Sequence, residues 1–166
     1  MTHSIAFQPS RLAVLWLLLA AAMTSTAYAQ KPISFQTIVH PNSTQSGFNI
    51  QFVDKQISTN ELNMMLQPAG GMVLRVTSIH GYLTGMTDVP NAFDYAVIYL
   101  GASKRGSMRQ FGAGSISLNG AGTTQINFDP GLVATLLDTE TLALRSLLQS
   151  NRQARIEIHG YIEDAL

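Results

Sequence analysis

The segment "ARIEIHGYIE" near the C-terminus sets Ile156, Ile158, Gly160 and Ile162 against Arg155, Glu157, His159, Tyr161 and Glu163. Strict alternation of this kind has period two, the period of an extended strand with one face in an apolar core and the other in water. The same period recurs upstream. "ISFQTIV" puts Ile33, Phe35, Thr37 and Val39 on one side, and "GFNIQFV" puts Phe48, Ile50 and Phe52 opposite Asn49 and Gln51. A strand rich in β-branched residues is predicted from Met72 to about Leu83. Another is predicted from Phe93 to Leu100, where Ala96, Ile98 and Leu100 oppose Tyr95, Val97 and Tyr99.

Breakers separate these runs. Gly85, Pro90 and Asn91 follow the Met72 strand, and Asp129-Pro130-Gly131 is a turn signal. "GASKRGSMRQ" reads as a polar loop. The "NGAG" between Ser115–Leu118 and Thr123–Phe128 predicts a hairpin, which Asp129-Pro130-Gly131 is expected to end. In "STNELNMMLQPAG", Ser58 or Thr59 is a cap for a short helical turn that Pro68 and the Gly70-Gly71 pair stop. The leucines of "DTETLALRSLLQSN" group at helical rather than alternating spacing, which predicts a late helix covering an open face or edge. The expected fold class is all-β and mainly antiparallel: a two-layer β-sandwich of jelly-roll or Greek-key type with one late α-helix.

Residues 1–29 pose a different problem. Arg11 precedes an apolar run from Leu12 to Ala22, and Ala27-Tyr28-Ala29 supplies an A-x-A site, the three-part pattern of a secretory signal peptide. A run of that length covers about half of a ~30 Å hydrocarbon core, so a retained membrane anchor is not expected. The reading is a leader over 1–29 and one domain over 30–166, with no stable membrane insertion after cleavage. The chain has no cysteine, which excludes disulfides, thiolate metal sites, a cysteine nucleophile and a lipidated cysteine. A cysteine-free exported domain favours a bacterial envelope, hence a periplasmic or secreted product.

Removing the leader takes one arginine and no acid, leaving nine basic against ten acidic side chains and a net charge of −1. No basic stripe for nucleic acid is present at that balance. "SKRGSMR" concentrates Lys104, Arg105 and Arg109, a set that reads as a solvated loop before it reads as an anion site. No serine stands in a G-x-S-x-G elbow, Ser107 and Ser115 included. Asp94, Glu157 and Glu163 are the carboxylates available for acid/base work, and Met64, Met65 and Leu66 read as a core plug.

One tetrapeptide repeats: Ile79-His80-Gly81-Tyr82 and Ile158-His159-Gly160-Tyr161. Shared packing demand on two strands, with an inward glycine between large apolar neighbours, is one explanation. The other makes the strands neighbours, so that His80, Tyr82, His159 and Tyr161 form one surface patch for a sugar or peptide. Tyr95 and Tyr99 extend that patch if their strand adjoins. A metal shared by His80 and His159, completed by Glu157 or His40, finds no support in local spacing. The expected function is therefore non-catalytic surface recognition, of an envelope protein or glycan, or self-assembly into a homo-oligomer, with no cofactor. The alternative is a small envelope hydrolase or metal-dependent enzyme using His80 and His159.

Overall fold

The computed structural model describes residues 30–84, 93–119, 124–148 and 152–165. The leader, the breaker stretch containing Gly85, Pro90 and Asn91, and the NGAG turn beyond Asn119 lie outside the described residues, as does the Asp94 side chain. Most of what is described is antiparallel strand. The strands are β1 (Lys31–Val39), β2 (Thr44–Gln45), β3 (Asn49–Phe52), β4 (Lys55–Ile57), β5 (Met72–Leu83), β6 (Phe93–Lys104), β7 (Ser107–Asn119), β8 (Thr124–Ala134), β9 (Thr141–Leu148) and β10 (Ala154–Asp164). Among the described residues one α-helix, α1 (Thr59–Leu66), followed by a 3-10 turn over Pro68–Gly70, lies between β4 and β5.

The strands form two sheets, one of order β4-β3-β1-β10-β5-β8 and one of order β2-β9-β6-β7. Their alternating apolar residues meet in a single core: Ile33, Phe35, Ile79, Ile156 and Ile158 from the first sheet, with Ile98, Leu100, Ile116, Leu118 and Leu144 from the second. The alternation predicted for β1, β3, β6 and β10 matches the observed inward faces.

Ser58 starts α1 through a capping box. Its hydroxyl accepts from the Glu61 N–H at 3.2 Å, and the Glu61 carboxylate accepts from the Ser58 N–H at 2.7 Å. That bond, and the contact with the Ser58 hydroxyl, hold the Glu61 carboxyl below its ordinary value. Leu62 and Leu66 enter the core, Met65 packs on it in part, and Met64 is exposed, so only part of the expected plug is buried. Asn63, buried, accepts the Leu142 N–H at 3.0 Å and ties α1 to the start of β9.

Four sequence-based expectations are corrected. The late helix is strand β9, paired with β6 from Ala96↔Leu148 to Ser103↔Thr141. Leu142, Leu144 and Leu148 do alternate there, and the missing member of the series is Ser146, buried and donating its hydroxyl to the His40 carbonyl at 2.9 Å. A polar residue at a core position disguised the period, and pairing on both sides of β9 outweighs local helix propensity. The loop "GASKRGSMRQ" is ladder as well. Arg105 (φ 49°) and Gly106 (φ 84°) alone make the turn between Lys104 and Ser107, with the two positive φ angles that a tight hairpin needs.

The third correction concerns the runs flanking NGAG. β7 and β8 are terminal strands of different sheets and share no ladder among the described residues. They meet by side-chain packing: Ile126 and Leu132 of β8 occupy the space that a side chain would need at Gly114 and Gly112 of β7. Nor does Asp129-Pro130-Gly131 end β8. It forms an irregularity within that strand, opposite a register shift in β5 between Val76 and Ser78.

Candidate functional site

Thr77 decides where the first tetrapeptide faces. Leu74 and Val76 point into the core, and so do Ile79, Gly81 and Leu83, an inconsistency of phase for an unbroken strand. The extra residue Thr77 resolves it. Val76 pairs with Gly160 and Ser78 with His159, so a bulge at Thr77 flips the alternation. The Thr77 hydroxyl donates to the His159 carbonyl at 3.1 Å and fixes the bulge to β10. Downstream of it, Ser78, His80 and Tyr82 all share the outward side with Arg155, Glu157 and His159.

The two tetrapeptides are thus on adjacent antiparallel strands, and their imidazoles touch. The His80 and His159 ring centroids lie 4.9 Å apart at an interplanar angle of 75°, edge to face. Ser78 Oγ lies 3.1 Å from His80 Nε2. Tyr82 stands at one end of this pair, under the Arg155 guanidinium at 6.0 Å. Tyr161 stands at the other, opposite Arg75 in the ladder. The guanidinium of Arg75 is held further toward its charged form, chiefly by its hydrogen bond to Glu163, and Tyr161 adds to the effect.

The surroundings are polar and almost uncharged. One rung of outward residues crosses all six strands: Gln56, Gln51, Ser34, His159, Ser78 and Asn127. The next reads Asn49, Gln36, Glu157, His80 and Gln125. Arg75 is bonded to Glu163 at 2.6 Å, and Arg155 to Gln36 at 2.8 Å with Glu157 at 3.6 Å, so the charges bordering the rungs compensate one another. A shallow depression of about 240 Å³ opens between Ser34, Gln36, Asn49, Gln51, Gln56, Glu157 and His159. A second, of about 380 Å³, runs from Ser34 and His159 toward Pro32, Val53 and Thr77.

Of the six residues singled out from sequence, four are brought to this face: His80, Tyr82, His159 and Tyr161. Tyr95 and Tyr99 are not. Both project from the solvent side of β6 in the other sheet, where Tyr99 pairs with Arg145 and borders a depression with Met108, Gln110 and Leu147. His40 is also remote. It lies beyond the Val39↔Ala154 pair, in a turn where its N–H donates to Ser43 Oγ at 3.1 Å.

Of the basic trio, Arg109 is engaged by Glu140 at 2.5 Å, Lys104 reaches the Asp138 carbonyl at 3.5 Å, and Arg105 stands exposed in the β6–β7 turn. Among the described residues no three His, Cys, Asp or Glu side chains converge as metal ligands. The Ser78–His80 contact has nucleophile-base geometry. The nearby carboxylate of Glu157 is, however, drawn to Arg155, and a catalytic serine requires an oriented base.

Sequence reasoning missed Ser78, Ser34, Gln36 and the amides of β3 and β4 as members of the site. Each occupies the polar phase of an alternating strand. Their convergence depends on strand order, which alternation does not encode. A scan against protein-family models finds no match to this chain, and a search of curated proteins likewise finds none.

Proposed function

We propose that this chain is an exported, non-catalytic two-layer β-sandwich, of jelly-roll or Greek-key type, that binds a neutral glycan of the cell envelope on the outer face of its six-stranded sheet. The leader pattern of residues 1–29 supports export, and the common core of the two sheets supports the sandwich. The observation that carries the recognition reading is the contact of His80 with His159 at 4.9 Å, flanked by Tyr82 and Tyr161, on a surface of serines and carboxamides.

The chemistry suits a sugar. Carboxamides and hydroxyls both donate and accept, as sugar hydroxyls do, and rings seated among them offer faces for C–H stacking. Compensated charge disfavours polyanions, which need uncompensated cations. With strands ~4.8 Å apart, six of them offer a track ~24 Å long, enough for an oligosaccharide.

The test is a glycan and peptidoglycan binding screen with the wild-type protein and the Tyr82→Ala/Tyr161→Ala double variant. Wild type is expected to retain a neutral glycan, and the variant to bind at least about tenfold more weakly, the loss typical of removing two aromatic contacts. Equal binding by the two proteins would refute the assignment of the face.

A further inference from the structure

We infer that the free edge of β7 pairs with the same edge of a second copy of this chain, antiparallel about a two-fold axis at Ser115, to make a closed dimer. Four strands end the two sheets: β4 and β8 in one, β2 and β7 in the other. An unpaired edge offers a row of backbone N–H and C=O groups to any extended chain, and folded proteins blunt it by shortness, charge, proline or a bulge. Three of these four edges are blunted in that way. Strand β4 has 3 residues, Lys55 among them, and β2 has 2. Strand β8 is interrupted by Asp129-Pro130-Gly131, where Pro130 has no N–H to offer and Gly131 turns the chain at φ 102°.

The edge of β7 is open. The strand has 13 residues and no proline, and it pairs with β6 alone among the described residues. Its one charged side chain, Arg109, is engaged by Glu140. A bulge at Phe111 marks one end of the open part, beyond which Gly112 to Leu118 pair one for one with Leu100 to Asp94 of β6. Ile126 and Leu132 of β8 lie over the inner side of Gly114 and Gly112, yet both glycines stay partly exposed, and what a glycine exposes is backbone. On the outer side Ala113 and Ser115 are exposed, and neither is long enough to screen the edge.

The run from Gly112 to Leu118 is complementary to itself, which makes a second copy the fitting partner. With the axis at Ser115, Gly114 lies opposite Ile116 of the second copy and Gly112 opposite Leu118, so each large inward side chain meets a glycine. Ala113 lies opposite Ser117, and Ser115 opposite its own counterpart. The run carries no charge, so no like charges are opposed. An antiparallel pair of this length forms about six to eight hydrogen bonds, within the range of about five to fifteen found in specific interfaces. With the other edges blunted, assembly stops at two copies and does not grow into a fibre. The edge belongs to the four-stranded sheet and the His80–His159 face to the other, so dimerisation and glycan retention are tested separately.

Light scattering of the purified chain over a concentration series, after size exclusion, tests this. The mass of two chains is expected at high concentration and of one chain on dilution, with nothing larger. Ser115→Lys sets two like charges directly opposite each other at an exposed position, and should weaken dimerisation about fivefold with far-UV circular dichroism unchanged. The chain has no cysteine, so Ser115→Cys gives a second reading that does not depend on that variant. Opposite Cα atoms of an antiparallel pair are about 4.5–5.5 Å apart, within the span of a disulfide, so mild oxidation should link two copies of Ser115→Cys. Ala113→Cys should stay unlinked, because its counterpart lies about 13 Å away along the ladder. A single-chain mass at every concentration, leaving the edge to an extended segment of another protein, would overturn the inference. So would a dimer undiminished in Ser115→Lys, or equal linking of the two cysteine variants.

Discussion

The two glycines of the repeated tetrapeptide answer to different constraints. At Gly81 an added Cβ would lie 2.8 Å from Leu118 Cδ2 and 3.0 Å from Ile156 Cδ1, the movable ends of core side chains from both sheets. At Gly160 the same atom would overlap the Arg75 carbonyl, which is backbone held by the bulge. Gly81→Ala should therefore cost about 1 kcal/mol and Gly160→Ala about 3 kcal/mol, since side chains repack and a ladder does not. Urea denaturation of the two variants measures the difference, and equal costs would contradict the bulge geometry. The outward direction of His159 and Tyr161 follows from the alternation of "ARIEIHGYIE". That of His80 does not follow from its own strand, because one unpaired residue, Thr77, reverses the phase between Val76 and Ile79.

Among the elements, α1 was legible because its signals are local: a capping serine, Glu61 three residues on, and Pro68 at the end. Strand β9 was not, because its identity depends on distant partners, β6 alongside and the His40 carbonyl that satisfies Ser146. The segment leading into β9 is anchored by an ion pair between the buried carboxylate of Glu140 and the exposed guanidinium of Arg109. Glu140 accepts from Arg109 of β7 and from the Leu137 N–H at 2.7 Å. The Arg109 bond, more than the backbone contact, holds the Glu140 carboxyl below its ordinary value of 4.5 against the opposing effect of burial.

A carboxyl depressed in the folded state stabilises fully above its unfolded value and ceases to do so as pH falls through the folded one. The thermal midpoint should thus hold from neutral pH to about 4.5 and fall below it. Glu140→Gln should cost about 2 kcal/mol at pH 7 and flatten that acid limb. Scanning calorimetry of both proteins between pH 7 and pH 3 checks the sign, and parallel acid limbs would contradict it.

For the whole molecule, period two was enough to predict antiparallel strands around one core, and the polar residues of each strand were assignable to its outer side. What alternation leaves open is which strands lie side by side. Placing β10 between β1 and β5 brings the two histidines together and lines up the rungs of serines and carboxamides beside them. The same order puts Tyr95 and Tyr99 on the other sheet, so a functional face common to all six aromatic and imidazole residues does not exist. The recognition reading therefore stands on a single adjacency, His80 beside His159 on the exterior of the six-stranded sheet. A nuclear Overhauser spectrum of the assigned imidazole protons measures it directly. Rings centred 4.9 Å apart should give a cross-peak between His80 and His159, whereas cross-peaks from each ring to core methyl groups, with none between the rings, would contradict the account.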